Sequence, residues 1–247
     1  MSVCTYRRLT LAAAAVLLAT ASGGAVTAHA SGAPQESTST IGTSVRGRPI
    51  TVMHRTGPGA TRRVVVIGDI HGDEQAGLRV VRQLQRGAQP ADLDLWLIRT
   101  VNPDGTAANR RTNAHGVDLN RNFPYRWRDV GRGTRLWSGP RAASEPETRS
   151  LQRLVRRIRP DLIVTFHQPL FGVGANEKGM PVVRALAAGM GLPVKTFHCS
   201  GVCNGSFTSW VNSRTSSLAV TVEFGPTVSA SRISRAAAAI RRVGAAL

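Results

Sequence analysis

A histidine and a glutamate stand three positions apart, directly after an apolar run of the sequence. His71 and Glu74 follow the apolar segment 64–67, and Gly72 lies between them. An imidazole and a carboxylate that close together can bind one zinc ion, but the same spacing occurs on many surface turns. A metal site therefore requires further ligands from other parts of the chain.

The same arrangement of a polar residue after an apolar segment occurs twice more. His167 follows segment 162–166, and Glu223 follows segment 218–222. Because the carboxyl ends of parallel strands share one edge of an open α/β sheet, we expect these side chains to meet there. Two histidines and a carboxylate leave a catalytic zinc one open position, and a second carboxylate can then accept a proton from water. Singly, His167 also fits a strand-end histidine, and Glu223 a helix-capping carboxylate.

The elements that must position these residues alternate between strands and helices. Two short strands are predicted within 41–53, and further strands at 64–67, 93–98, 162–166 and 218–222. Helices are predicted at 73–85, 144–158, 180–190, 206–212 and 230–247. This alternation indicates an α/β fold, a three-layer α/β/α single domain with a mixed, largely parallel central sheet.

One long irregular region interrupts the pattern at residues 106–143, and so long a loop in a compact domain is usually functional. The helix after it opens with Ser144 and Glu147, a spacing that predicts a capping box.

The amino-terminal residues 1–30 have the pattern of a signal peptide. Arg7 and Arg8 precede an apolar stretch too short to span a bilayer comfortably, and an Ala-x-Ala cleavage site ends at Ala30. We therefore expect a secreted, extracellular protein with no transmembrane segment in the mature chain. Residues 31–40 are small and polar and predict a flexible lead-in, and 41–247 would form the catalytic domain.

The chain is strongly basic, with a formal net charge of +18, and Lys178 and Lys195 are its only lysines. Such a charge predicts attraction to polyanions. In an exported protein these would be anionic cell-wall polymers. No aromatic-interleaved basic helix is visible, so we expect no nucleic-acid partner. Genomic base composition is the alternative explanation for the arginine content.

Two cysteines remain beyond the signal segment, Cys199 and Cys203. In an oxidising compartment this pair predicts a disulfide that closes a short loop. A zinc site is the less favoured alternative, because only the adjacent His198 stands at ligand spacing.

Six ordered motifs resemble those of the zinc carboxypeptidase family: His71-x-x-Glu74, Asn102-Pro103-Asp104-Gly105, segment 116–123, segment 144–148, His167 and Glu223. Segments 118–124, 138–140 and 203–206 look most like the bacterial murein peptide amidases. Those enzymes cleave the γ-D-glutamyl–diaminopimelate bond of cell-wall peptides.

The resemblance implies one zinc ion bound by His71, Glu74 and His167. It implies that Glu223 is the general base, which takes a proton from zinc-bound water and later protonates the leaving amine. Asp118 resembles the acid that accepts a hydrogen bond from the first histidine and so orients its ring.

Arg111 resembles the arginine that stabilises the oxyanion, although the loop spacing leaves Arg110 as an alternative. Asn120 and Arg121 resemble the pair that binds the substrate's terminal carboxylate. The family tyrosine that covers the substrate has no counterpart at its usual place. Tyr125 lies far upstream of it, and Trp210, in the right region, fits a core residue better.

The resemblance therefore implies a secreted zinc metallopeptidase, a carboxypeptidase or amidase, that hydrolyses γ-D-glutamyl–diaminopimelate bonds of peptidoglycan peptides. Three alternatives stay open. They are a metallocarboxypeptidase that removes ordinary C-terminal amino acids, a deacylase of N-acyl amino acids, and a non-catalytic wall-binding protein.

Overall fold

In the computed structural model, eight strands of the described part of the chain form one mixed sheet. They are β1 (Gln35–Thr43), β2 (Pro49–Thr56), β3 (Arg62–Asp69), β4 (Leu93–Thr100), β5 (Leu162–His167), β6 (Gly172–Gly174), β7 (Val194–Lys195) and β8 (Leu218–Glu223). Their order is β1-β2-β4-β3-β5-β8-β6-β7. The four central strands β4, β3, β5 and β8 are parallel to one another, and β1, β2 and β6 join antiparallel neighbours. The predicted mixed sheet with a parallel centre is confirmed.

The structure describes Met1 and residues 34–175, 177–197 and 204–247. The predicted signal segment beyond Met1 and the predicted Cys199–Cys203 disulfide lie outside the described residues, so both stay predictions. None of the helices in the described part of the chain has the length and apolar character needed to cross a membrane.

The described residues form six α-helices: α1 (Ala76–Arg86), α2 (Pro103–Ala108), α3 (Pro146–Ile158), α4 (Met180–Met190), α5 (Phe207–Arg214) and α6 (Ala230–Ala245). Helices α1, α4 and α6 pack in one apolar core, whereas α3 and α5 pack in a second. Strand β3 contributes alternate side chains to both cores. Val64 and Val66 lie in the first core, and Val65 and Ile67 lie in the second. The expected three-layer α/β/α single domain is confirmed.

The predicted flexible lead-in at 31–40 is wrong from Gln35 onward. Residues 35–43 form β1, an exposed edge strand that pairs antiparallel with β2 from Gln35–Thr56 to Thr43–Pro49. Its stability comes from backbone hydrogen bonds to β2 and not from buried side chains. The small polar residues of this segment therefore give no hydrophobic pattern from which the strand could be predicted.

The predicted capping box at the start of α3 is also wrong. Glu145 is the N-cap residue and makes no side-chain capping bond, while the Ser144 hydroxyl donates to the Glu145 carboxylate at 2.6 Å. The Glu147 carboxylate turns inward and accepts hydrogen bonds from the backbone N–H of Val45 and the side chain of Asn113. These acids hold the long irregular loop against the domain instead of closing the helix end.

Candidate active site

Three strand-end side chains converge at the carboxyl edge of the parallel sheet. His71 Nδ1 lies 2.9 Å from Glu74 Oε2, and His167 Nδ1 lies 2.8 Å from the same oxygen. The two Nδ1 atoms are 3.2 Å apart. β3 and β5 are parallel neighbours, so the residues that follow or end them meet, as the sequence predicted.

The donor set fits zinc. Ligand bonds of about 2.0–2.1 Å in a tetrahedron place neighbouring donor atoms about 3.3 Å apart, close to the separations found here. His71, Glu74 and His167 are all buried, and together they form the one cluster of His, Cys, Asp and Glu suited to a metal ion among the described residues. Two imidazoles and one carboxylate leave a fourth position for water or substrate, as catalytic zinc requires.

A glycine allows the two ligands of the first segment to lie on a tight turn. A Cβ atom at Gly72 would stand 2.0 Å from the carbonyl carbon of Gly105 in α2, which no side chain can tolerate. The turn is closed by the Glu74 N–H, which donates to the His71 carbonyl at 3.0 Å. Only glycine at position 72 permits this contact, and the contact fixes His71 and Glu74 against the domain.

Asp118 orients the first histidine. Its Oδ1 lies 3.0 Å from His71 Nε2, so that Nδ1 faces the other two ligands. Burial alone would lower the pKa of His71, but the carboxylates of Asp118 and Glu74 raise it to about 9. Burial opposes ionisation of Asp118, yet His71 and Arg111 hold its pKa below the usual range. Asp118 is therefore an anion that fixes the imidazole, as expected from the sequence.

Glu223 ends β8 directly opposite His167 in the strand register. Its Oε2 accepts a hydrogen bond from the Leu170 N–H at 3.2 Å. Burial raises the pKa of Glu223, although His167 acts in the opposite direction. A carboxylate with a raised pKa beside the ligand cluster is a stronger base than an exposed one.

The structure separates the two candidate arginines. Arg111 Nη1 donates to Glu74 Oε1 at 2.9 Å, and its Nε donates to Asp118 Oδ2 at 3.0 Å, so its guanidinium lies against the ligand cluster. Arg110 is exposed and lines a neighbouring cavity. The position preferred from the sequence, Arg111, is the one that borders the cleft.

Asn120 and Arg121 lie together on the cleft wall, in a short 3-10 helix (Leu119–Arg121). Asn120 Oδ1 accepts the Phe207 N–H at 2.9 Å, which leaves the amide NH2 group for a ligand. The Arg121 guanidinium is mostly buried, and its Nε has no hydrogen-bond partner within the described part of the chain. Burial lowers the pKa of Arg121, and Arg111 adds to this effect.

The ligand cluster, Glu223, Arg111, Asn120 and Arg121 line one open cleft of about 920 Å³. Several other residues that line the cleft were not predicted from the sequence: Tyr125, Arg126, Arg135, Ser206, Ser209 and Ser213. The three serines lie at positions i, i+3 and i+7 around α5, a polar stripe that a helical plot would have shown. Nothing in the local sequence marks the other three, because they lie on the long irregular loop.

The zinc carboxypeptidase family model matches residues 28–169. The match contains His71, Glu74 and His167, and it covers more than half of the chain. The chain belongs to the zinc carboxypeptidase family. It is therefore a zinc metallopeptidase with one zinc ion, and the buried cluster described above is suited to hold that ion.

Relatives extend the likeness of this zinc carboxypeptidase beyond residue 169. Murein peptide amidase A of Escherichia coli K12 is 33% identical over 192 residues, which are 72% of this chain and 78% of the relative. Murein peptide amidase A of Vibrio campbellii is 30% identical over 197 residues, covering 75% and 78% of the two chains.

Solved structures of the family support the same fold. The murein-tripeptide amidase from Escherichia coli O157 superposes with a TM-score of 0.69 at 30% identity, covering 87% of this chain and 94% of that chain. The carboxypeptidase A from Helicoverpa armigera gives a TM-score of 0.72 at 14% identity, with coverage of 85% and 69%, and shows the fold alone.

The zinc carboxypeptidase lacks a tyrosine shortly before Glu223, and the structure shows what occupies that part of the molecule. Trp210 is 1% exposed and packs with Phe123 and Phe207, so it is a core residue. Tyr125 is the tyrosine that lines the cleft, and its ring lies 5.4 Å from the guanidinium of Arg126. A loop residue distant in sequence therefore supplies an aromatic side chain to the cleft.

Proposed function

We propose that this zinc metallopeptidase is secreted and hydrolyses the γ-D-glutamyl–diaminopimelate amide bond of peptidoglycan peptides. The observation that carries the proposal is the charge of the cleft. Its described lining contains four arginines (Arg111, Arg121, Arg126 and Arg135) and two acids, both of which the chemistry uses, Glu74 and Glu223. Cell-wall peptides that contain γ-D-glutamate and diaminopimelate carry several carboxylates and match such a cleft. The likeness to murein peptide amidases over most of the chain supports the same substrate class.

The ligand cluster and Glu223 would divide the hydrolytic chemistry. His71, Glu74 and His167 would hold the metal. Zinc bound there supplies the Lewis acid that makes water a nucleophile at neutral pH. The Glu223 carboxylate would take one proton from the attacking water while the oxygen of that water bonds to the carbonyl carbon. It would then pass that proton to the amide nitrogen when the carbon–nitrogen bond breaks.

Arg111 would stabilise the negative charge that develops on the carbonyl oxygen. Its contacts to Glu74 and Asp118 fix the plane of the guanidinium and leave one N–H group on Nη2 for the oxyanion. A donor held in place before the reaction needs no reorganisation in the transition state. Such a group contributes roughly 3–4 kcal/mol.

Asn120 and Arg121 would bind the terminal carboxylate of the substrate. Two donors on the cleft wall have no hydrogen-bond partner among the described residues. They are Arg121 Nε and the amide NH2 group of Asn120. A buried donor without a partner costs about 1–3 kcal/mol, which a bound carboxylate would offset. The two side chains would thereby place the scissile amide beside the ligand cluster.

Selectivity among peptides tests the proposal. The purified enzyme, expressed from Ser31, would be offered L-alanyl-γ-D-glutamyl-diaminopimelate and α-linked peptides ending in arginine or phenylalanine. We expect release of diaminopimelate from the first and at most slow turnover of the others. The opposite preference would identify an ordinary metallocarboxypeptidase, and tight wall binding without turnover of any peptide would identify a binding protein.

A further inference from the structure

A second cavity adjoins the active-site cleft. It has a volume of about 520 Å³ and shares Arg111 and Arg135 with the cleft, so these two side chains border both spaces. We call it the basic bay. Its other ionisable side chains are Arg110, Arg132, His115 and Asp73.

The basic bay carries an excess of positive charge. Its one described acid, Asp73, lies 3.8 Å from Arg135, whose side chain is 70% exposed, so this pair is loose. Among the described residues no carboxylate lies within ion-pair distance of Arg110 or Arg132. Several guanidinium groups around one concave surface predict an anionic ligand.

Arg132 and Arg135 lie on a segment that hydrogen bonds hold in place. The Thr134 hydroxyl donates to the Gly131 carbonyl at 2.9 Å, and the Trp137 N–H donates to the Thr134 carbonyl at 3.2 Å. The Arg132 guanidinium lies 5.2 Å from the Trp137 ring. The Trp137 carbonyl accepts the Asp118 N–H at 2.8 Å, which ties the segment to the acid that orients His71.

The position of the bay assigns it to one end of the substrate. Asn120 and Arg121 line the cleft but not the bay, so a terminal carboxylate bound by them places the leaving residue away from the bay. Arg111 borders both spaces beside the ligand cluster. The residue on the acyl side of the scissile bond therefore extends past Arg111 toward Arg132 and Arg135.

We infer that the basic bay binds a free carboxylate on the acyl residue of the substrate. The inference rests on the proposed function, because a γ-glutamyl linkage leaves the α-carboxylate of that residue unbonded and close to the scissile amide. An α-linked peptide has a carboxylate on this residue only where the residue itself is acidic. Arg132 and Arg135 thus select γ-linked over ordinary peptides.

A matched pair of substrates tests the inference. One is L-alanyl-γ-D-glutamyl-diaminopimelate, and the other carries an amide in place of the glutamyl α-carboxylate. For the wild type we expect kcat/KM to be about tenfold higher on the free acid, the effect of one or two charge-assisted bonds at a partly exposed site. In Arg132→Gln/Arg135→Gln this ratio should fall to about two, because kcat/KM falls more on the free acid than on the amide.

A control variant separates local recognition from net charge. Arg128 lies in the same loop, is exposed and lines neither cavity, so Arg128→Gln removes a charge but should keep the wild-type ratio. A free energy of unfolding in urea equal to that of Arg128→Gln shows that the double variant is folded. An unchanged ratio in the double variant, or an equal loss on both substrates, overturns the inference. If the wild type cleaves neither peptide, the proposed function itself fails and the inference falls with it.

Discussion

Asp118 connects the metal ligands to the rest of the cleft. One of its oxygens fixes His71, and the other accepts hydrogen bonds from Arg111. The first oxygen also accepts the Asn120 N–H at 2.9 Å, which anchors the proposed carboxylate-binding pair. A single buried anion thereby sets the positions of the metal ligand His71, the proposed oxyanion donor Arg111 and Asn120 of the proposed carboxylate-binding pair.

Replacing this anion should weaken the binding of zinc. In Asp118→Asn the amide oxygen can still face His71, but the NH2 group opposes the donors of Arg111 and the charge is lost. We expect zinc affinity to fall about 10–100-fold, measured by competition with a chelating dye. Asp104→Asn removes a buried carboxylate away from the ligand cluster and should leave the affinity unchanged. Equal affinities of Asp118→Asn and the wild type would contradict this role.

Glu223 is proposed to move the proton without binding the metal. Glu223→Gln retains an acceptor for the Leu170 N–H but cannot take a proton from water. We expect kcat to fall by about 10²–10⁴-fold, the contribution typical of a general base. Zinc content, measured by atomic absorption, should stay at one ion per chain. A variant that keeps full activity would remove Glu223 from the mechanism, and a variant without zinc would make it a ligand.

At the scale of elements, a close backbone contact joins the start of α5 to the substrate-binding wall. The Phe123 N–H donates to the Gly205 carbonyl, and the Gly205 N–H donates to the Tyr125 carbonyl. Gly205 has a φ of +67°, and a Cβ there would stand 2.1 Å from the carbonyl oxygen of Arg121. The contact therefore holds Arg121 in register with α5.

A substitution at this contact should affect both stability and substrate binding. Gly205→Ala adds a left-handed strain of about 1–2 kcal/mol and a clash that displaces Arg121. Gly47→Ala is the matched control, because Gly47 has a φ of +75° with open space around its Cβ position. We expect Gly205→Ala to lose more free energy of unfolding in urea than the control, and to show a higher KM. Equal losses and an unchanged KM in both variants would contradict the contact.

The sequence predicted the central elements well because their signals are local. Apolar runs identified β3, β5 and β8, and the residue types after them identified the candidate zinc ligands His71 and His167. Residues 35–40 of edge strand β1 were missed because backbone pairing with β2 holds them and not side-chain burial. Tyr125 and the basic bay were missed because the fold of the irregular loop depends on long-range contacts. The Asn113–Glu145 hydrogen bond is one of these, and it has no periodicity in sequence.

At the scale of the whole molecule, the net charge of +18 predicts an electrostatic partner. We propose that the enzyme, whose secretion is itself proposed above, associates with anionic cell-wall polymers, which would hold it near its substrate. Bound enzyme should elute from isolated walls as salt rises from about 0.05 to 0.5 M, since such concentrations shorten the Debye length below about 10 Å. Elution that is independent of salt would exclude an electrostatic association.

The zinc cluster is proposed to hydrolyse one bond in one substrate class, and a single measurement tests this directly. L-Alanyl-γ-D-glutamyl-diaminopimelate would be incubated with the purified enzyme, with enzyme treated with a chelator, and with treated enzyme given zinc again. Mass spectrometry should show free diaminopimelate and L-alanyl-D-glutamate in the first sample, neither product in the second, and both again in the third. Intact peptide in all three samples, or cleavage that chelation leaves unchanged, would contradict the account.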